Sequence, residues 1–158
     1  MSESDMRKYW VLAILTLVGC GSSDSEPVSE FDAALARWQE KAPLHYSYSY
    51  QMSCFCVPDA TRKVKLEVDR FGTVVAGTYL DTGEAIAPEQ LAAYPSIAEL
   101  FGKIAAAQAA NFVIVEVEYD PEYGFPSSIY LDQDEMIADE EVGYSIGDLT
   151  PLPTPYER

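Results

Sequence analysis

Hydrophobic and polar residues alternate most strictly over residues 46–56. Tyr46, Tyr48, Tyr50, Met52, Cys54 and Cys56 are large or apolar, while Ser47, Ser49, Gln51 and Ser53 between them are small and polar. A period of two over this length predicts a half-buried strand with its tyrosine face on a core. The tyrosines read as sheet-face packing, with an exposed aromatic binding strip as the alternative. Upstream, Phe31, Ala34, Leu35 and Trp38 recur at helical spacing behind Ser29-Glu-Phe-Asp32, a serine followed three residues later by an acid. This predicts a capped amphipathic helix over about 30–41, ended by Pro43.

Downstream, Val64, Leu66 and Val68 alternate with Lys65, Glu67 and Asp69. With a turn at Arg70-Phe-Gly72 and a return over 73–80, they predict a hairpin. Residues 81–95 read as a loop with a helical turn at 88–93. Ser96-Ile-Ala-Glu99 is a second capping box, and Ile97, Leu100, Phe101, Ile104 and Ala105 form the stripe of a helix to about Ala110, with Asn111 as its C-terminal cap. A strand over 112–119, a turn over 120–126 and a strand over 127–132 follow. Pro121 and Gly124 mark the turn, Gly124 where positive φ is expected. Residues 142–146 read as a last short strand, and the proline-rich end as extended chain.

The order is helix, three strands, helix, three strands. It predicts an α+β fold, one antiparallel sheet with two helices on one face. The halves echo each other: Val64-x-Leu-Glu-Val-Asp69 leads through Gly72 to Tyr79-Leu-Asp81, and Val115-x-Val-Glu-Tyr-Asp120 through Gly124 to Tyr130-Leu-Asp132. Either a duplicated α-β-β-β unit or two hairpins obeying the same rules accounts for this. The duplicated arrangement is similar to tandem PepSY-type and β-lactamase-inhibitor-type periplasmic modules, at the level of fold alone.

The front of the chain has a different character. Arg7 and Lys8 precede an apolar run from Tyr9 to Val18, too short for the roughly 20 residues a membrane span needs. A secretory signal over 1–19 is the expectation. Glu3 and Asp5 are foreign to a basic leader, and Met6 would begin a cleaner one. Leu17-Val-Gly-Cys20 resembles the lipobox of bacterial lipoproteins, which implies lipid on Cys20 and cleavage before it. Residues 20–28 then form an acylated cysteine and flexible tether, 29–150 a single α+β domain and 151–158 a proline-rich tail. An ordinary secreted protein is the other reading of the leader. Gly21 rather than Asp after the cysteine favours the outer over the inner membrane where enterobacterial-type sorting operates.

Charge narrows the partners. The chain carries 26 acids against 10 bases, a net charge of −16. Removing residues 1–19 takes two of each and leaves it unchanged. This argues against nucleic acid and against electrostatic binding to anionic lipid, so the lipid on Cys20 would make the membrane contact. A solvated acidic surface is the plain reading.

Candidate chemistry is sparse. Beyond the cytoplasmic membrane Cys54 and Cys56 should oxidise to each other. On a straight strand their Cα atoms stand near the disulfide limit, so the backbone must kink, and Pro58 marks a strand end nearby. A local structural staple, a redox pair, half of a thiolate metal site and an inert reduced pair are the readings open to them. Asp132 and Asp134 fit the first two ligand positions of a calcium loop, but Met136 and Ile137 break the pattern. The one histidine, His45, has no motif around it, and no nucleophile elbow is present.

The lipobox, the Trp38 helix, the Tyr-x-Tyr strand into Cys54-x-Cys56, Ser-x-x-Glu-Leu-Phe over 96–101, Tyr119-Asp-Pro-x-x-Gly-Phe-Pro126 and Asp139-Glu-Glu-x-x-Tyr144 occur in this order. Together they resemble the uncharacterised bacterial lipoproteins grouped as domain of unknown function 6174, over about residues 30–150. The resemblance implies envelope localisation and carries over no activity, catalytic residue, metal or cofactor. The expectation is therefore a lipid-anchored envelope protein, facing periplasm or exterior, that acts as a non-catalytic binding module for an envelope protein. A thiol redox protein using Cys54 and Cys56 and a cation-binding protein are the alternatives. The expected contact regions are the Cys54–Cys56 strand end, the acidic segment 132–141 and the turn with Tyr119, Asp120, Tyr123, Gly124, Phe125 and Pro126.

Overall fold

The computed structural model describes residues 28–134, 136–137 and 139–153. The expected signal, Cys20, most of its tether and residues 154–158 lie outside the described residues. Helix α1 spans Glu30–Lys41, and the Ser29 Oγ accepts the Asp32 N–H at 3.1 Å. Strands β1 (Tyr46–Cys54), β2 (Val64–Val68) and β3 (Val74–Tyr79) follow, then helix α2 (Ile97–Ala109) and strands β4 (Ile114–Tyr119), β5 (Pro126–Asp132) and β6 (Val142–Pro151). The second capping box forms in both directions: Ser96 N–H donates to Glu99 at 2.7 Å, and Glu99 N–H to the Ser96 Oγ at 3.4 Å. Short 3₁₀ turns occupy Pro58–Thr61 and Pro88–Ala93.

The strands form one six-stranded antiparallel sheet in the order β3-β2-β1-β6-β5-β4. The fold is α+β. Tyr46, Tyr48 and Tyr50 lie opposite Val68, Leu66 and Val64, so one face of β1 and β2 is continuous core. From α1, Trp38 meets Tyr46 edge-on with centroids 5.4 Å apart, and Phe31 meets Phe101 of α2 at 5.8 Å. Phe101 in turn stacks on Tyr119 of β4 at 6.2 Å. Such aromatic pairs add about 0.5–1.5 kcal/mol each beyond the area they bury. The Tyr48 hydroxyl, fully buried, donates to the Pro95 carbonyl just before α2.

Three features depart from the sequence pattern. Ser47 and Ser49 are only 0% and 4% exposed, although they point away from the tyrosine face. Their strand lies between β2 and β6, and their short side chains sit among Glu67, Lys65 and Thr150 in register. The last strand runs 10 residues rather than a few. Gly143, Gly147 and Pro151 dilute its apolar alternation, and a register shift opposite Tyr48, with Asp148 at φ 52°, breaks its period. The echo between the halves falls on strands at different places. Each half is a three-strand meander, β1-β2-β3 and β4-β5-β6, joined through β1 and β6. The echoed segments are β2–β3 in the first and β4–β5 in the second, so the echo is one strand out of step with the matching connectivity.

Gly124 and Gly72 test the backbone logic. Both have positive φ, 84° and 79°. A Cβ on Gly124 would stand 2.5 Å from the Ala34 carbonyl of α1, whereas one on Gly72 would meet nothing within 4 Å. Gly72→Ala should therefore cost about 1 kcal/mol, the left-handed strain alone. Gly124→Ala should cost about 3 kcal/mol, because overpacking against helix backbone adds to the strain. Urea unfolding of the two variants measures the difference.

Candidate functional site

Antiparallel order puts the C-terminal ends of β1, β3 and β5 beside the starts of β2, β4 and β6. Cys54 and the acidic segment therefore share one end of the sheet, and Cys54 pairs directly with Val142 at the start of β6. Cys54 and Cys56 form a close pair with Cα atoms 5.3 Å apart, within the span a disulfide bridges. Phe55 between them is 80% exposed, and Val57, Leu80, Val113, Met136 and Ile137 are exposed at the same end. In the acidic segment Asp132 is buried and its carboxylate accepts the Asp134 N–H at 3.1 Å. Among the described residues no group of three or more His, Cys, Asp or Glu could hold a metal ion. His45 lies at the opposite end, its Nδ1 3.1 Å from the Pro153 carbonyl.

The 119–126 turn is also at that opposite end, and it faces inward. The Asp120 carboxylate accepts the N–H groups of Glu122 and Tyr123 at 3.0 and 2.6 Å. The Asp120 N–H donates to the Phe125 carbonyl at 2.8 Å. Phe125 packs edge-on against Trp38 at 6.4 Å, and Gly124, Phe125 and Pro126 are all buried. Asp120 and Tyr123 are half-buried, as is Tyr119, whose ring is covered by Phe101. The turn is a latch that seats α1, and its exposed residues are Pro121 and Glu122.

Sequence reasoning missed a concavity on the tyrosine face. A cleft of about 730 Å³ opens at the Cys54 end between the sheet, α2 and the two 3₁₀ turns. Its walls carry four tyrosines, Tyr50, Tyr79, Tyr94 and Tyr144, with Met52 and Pro95. Asp59, Gln90, Glu99 and Lys103 are its polar side chains. Tyr50 meets Tyr94 at 86° with centroids 6.1 Å apart, and lies tilted beside Tyr144 at 6.1 Å. Small residues leave the space open: Ala60, Ala92, Ala93, Gly102 and Ala106 line it where longer side chains would fill it. The 58–61 turn forms one rim, tied to β1 by Gln51 Nε2 donating to the Thr61 carbonyl at 3.1 Å. The Cys54–Cys56 pair sits where the chain leaves β1 for that rim.

The cleft's electrostatics follow from burial. Burial, then a hydrogen bond with Tyr79, pushes the Tyr94 phenol up to about 12. Burial also raises Tyr50 and Tyr144. The phenols stay neutral and serve as apolar faces with a polar tip. Arg62 lies over the Tyr79 ring, 3.7 Å from its centroid, and forks onto Asp81 at 3.0 and 2.7 Å, holding that carboxyl below its usual range. Lys103 Nζ stands 5.9 Å from the Tyr144 centroid. Phenols, an amine, an amide and two carboxylates around an open apolar floor are the groups of a binding site.

The tyrosines also set an alkaline limit. Tyr46, Tyr94 and Tyr119 are each pushed up to about 12, chiefly by burial, against an ordinary value near 10. A raised phenol stabilises the fold fully below pH 10, and the contribution is lost as pH rises through 12. The melting temperature should therefore hold from pH 7 to 9 and fall above pH 10. Absorbance at 295 nm should show these phenols ionising near pH 12 in the folded chain and near pH 10 in urea.

No curated protein and no solved structure matches the chain. A family model does match, over residues 30–151, from the first residue of α1 through the end of β6. It spans both helices, all six strands and every wall of the cleft, and so the chain belongs to the family of unknown function DUF6174.

Proposed function

We propose that this chain is a non-catalytic binding module of the cell envelope, held to a membrane by lipid on Cys20, with the tyrosine cleft as its ligand site. The cleft carries the reading: a preformed concavity with four aromatic walls and polar groups at its rim. Supporting it, the exposed apolar side chains at the Cys54 end extend the contact surface beyond the cleft. Both helices pack on the tyrosine face, a reading supported by the contacts of Trp38 with Tyr46 and of Phe101 with Tyr119. Cys54 and Cys56 form a structural disulfide that fixes the strand end and the adjoining rim. The leader and the Leu-Val-Gly-Cys20 sequence support the anchor, and Gly21 supports the outer membrane where that sorting rule operates. The net charge of −16 leaves membrane attachment to the lipid.

A thiol redox role is the second reading, favoured by the exposure of Cys56. Intact-mass spectrometry of the full chain expressed in a bacterial host and purified from membranes tests both. The expected mass is that of a chain beginning at Cys20, acylated, and lighter than its reduced form by two hydrogen atoms. Cys20→Ser should abolish acylation and membrane retention. An unacylated wild-type chain overturns the anchor. A bridge that exchanges readily with a mild dithiol moves the function to Cys54 and Cys56.

A further inference from the structure

We infer that the tyrosine cleft receives an extended peptide segment bearing arginine or lysine side chains. The inference rests on reading the cleft as a ligand site and names its occupant. Three observations carry it. The first is that the cleft's rings already hold cations. Arg62 covers Tyr79 at 3.7 Å and Lys103 approaches Tyr144 at 5.9 Å, both supplied by the chain itself. Cations over aromatic faces are attracted by the ring quadrupole, more strongly when partly desolvated. Tyr50 and Tyr94, perpendicular at 6.1 Å, add two further rings to the same wall.

The second observation is charge. Asp59 and Glu99 line the cleft, and among the described residues neither forms an ion pair, although Asp59 lies within the electrostatic reach of Arg62; one oxygen of Glu99 is committed to Ser96. Among the described residues that line the cleft Lys103 is the one cation, and Arg62 behind Tyr79 is paired with Asp81. With −16 on the whole chain, the field draws a cationic ligand in and repels an anionic one. The third is shape. A second concavity of about 480 Å³ shares Ala92, Tyr94 and Glu99 with the first and continues toward Gly72. A path of that form suits an extended chain better than a compact molecule, with Tyr94 and Glu99 at its waist.

The test uses the full lipidated chain in non-ionic detergent and a fluorescein-labelled heptapeptide of alternating alanine and arginine, read by anisotropy. Controls are the same peptide with serine for arginine, and spermidine as competitor. Saturable binding of the arginine peptide is expected. Tyr94→Ala removes a ring without touching charge and should weaken binding about tenfold. Tyr94→Phe keeps the ring and should retain it. Lys103→Gln removes the competing cation and should tighten it about threefold. Glu116→Gln on β4, outside the cleft, should change it less than twofold. Circular dichroism confirms that each variant is folded.

Binding of the arginine peptide that ignores Tyr94→Ala is nonspecific attraction to an acidic surface and overturns the inference. Displacement by spermidine at peptide-like concentrations overturns the peptide and leaves a small-cation site. Binding of the serine peptide that depends on Tyr94 overturns the cationic class while the cleft remains a ligand site. If no probe reads Tyr94, the inference and the ligand-site reading fall together.

Discussion

The hydrogen bond from the Tyr48 hydroxyl to the Pro95 carbonyl is the constraint on which the arrangement depends. Tyr48 stands in the middle of a central strand, with no exposed surface. A phenol there left without a partner would cost about 1–3 kcal/mol. Its partner comes from the far end of a long connection, so residues 80–95 must return across the sheet after leaving the edge strand β3. The return is guided: the Ile86 N–H donates to the Gly77 carbonyl at 2.8 Å, and Ile86 is buried beside it. Once Pro95 is over Tyr48, Ser96 is in place to cap α2, and Tyr94 is set against Tyr50. One buried hydroxyl thus fixes the start of a helix and a wall of the cleft.

The sheet is organised from the same strand outward. β1 is paired on both sides, with β2 and β6, and joins the two hairpins. Its neighbours leave room for tyrosines on one face and only for serines on the other, which explains an alternation so strict that both faces are covered over residues 46–50. The far face of the sheet carries polar or small residues in register, such as Lys65, Glu67, Ser145 and Thr150, as a solvated antiparallel face does.

Local rules wrote most of the elements into the sequence. Two serine–acid caps, helical spacing around Trp38 and Phe101, and period two around Leu66 each act within a few residues. Gly124 is legible because a turn needs its positive φ, although its tight fit against Ala34 is not. The cleft was illegible for the opposite reason. Tyr50, Tyr79, Tyr94 and Tyr144 meet only after β6 returns beside β1 and the 81–95 connection crosses the sheet. Only Tyr50 belongs to a strong local pattern. Tyr94 sits in a loop, and Tyr144 lies in a strand whose glycines and register shift hide its period. The faint trace was negative: Gly102 and Ala106 on an exposed helix face, where longer side chains would have closed the space.

The close pair of cysteines acquires its meaning from this geometry. A loop closed between residues two apart removes little chain entropy, so as a bridge it would add little to global stability. Its effect would be on direction. Cys54 is the last residue of β1, and the chain must then turn at once to lay residues 58–61 along the cleft rather than run on past the sheet. Gln51 holds the far side of that turn through the Thr61 carbonyl, and a Cys54–Cys56 bridge would hold the near side. Asp59 and Ala60, which line the cleft, would then be carried by backbone fixed at both ends. A rim fixed before a ligand arrives loses less entropy on binding than a free loop would. On the proposed reading, the pair that first suggests redox chemistry would instead keep the cleft's edge in place.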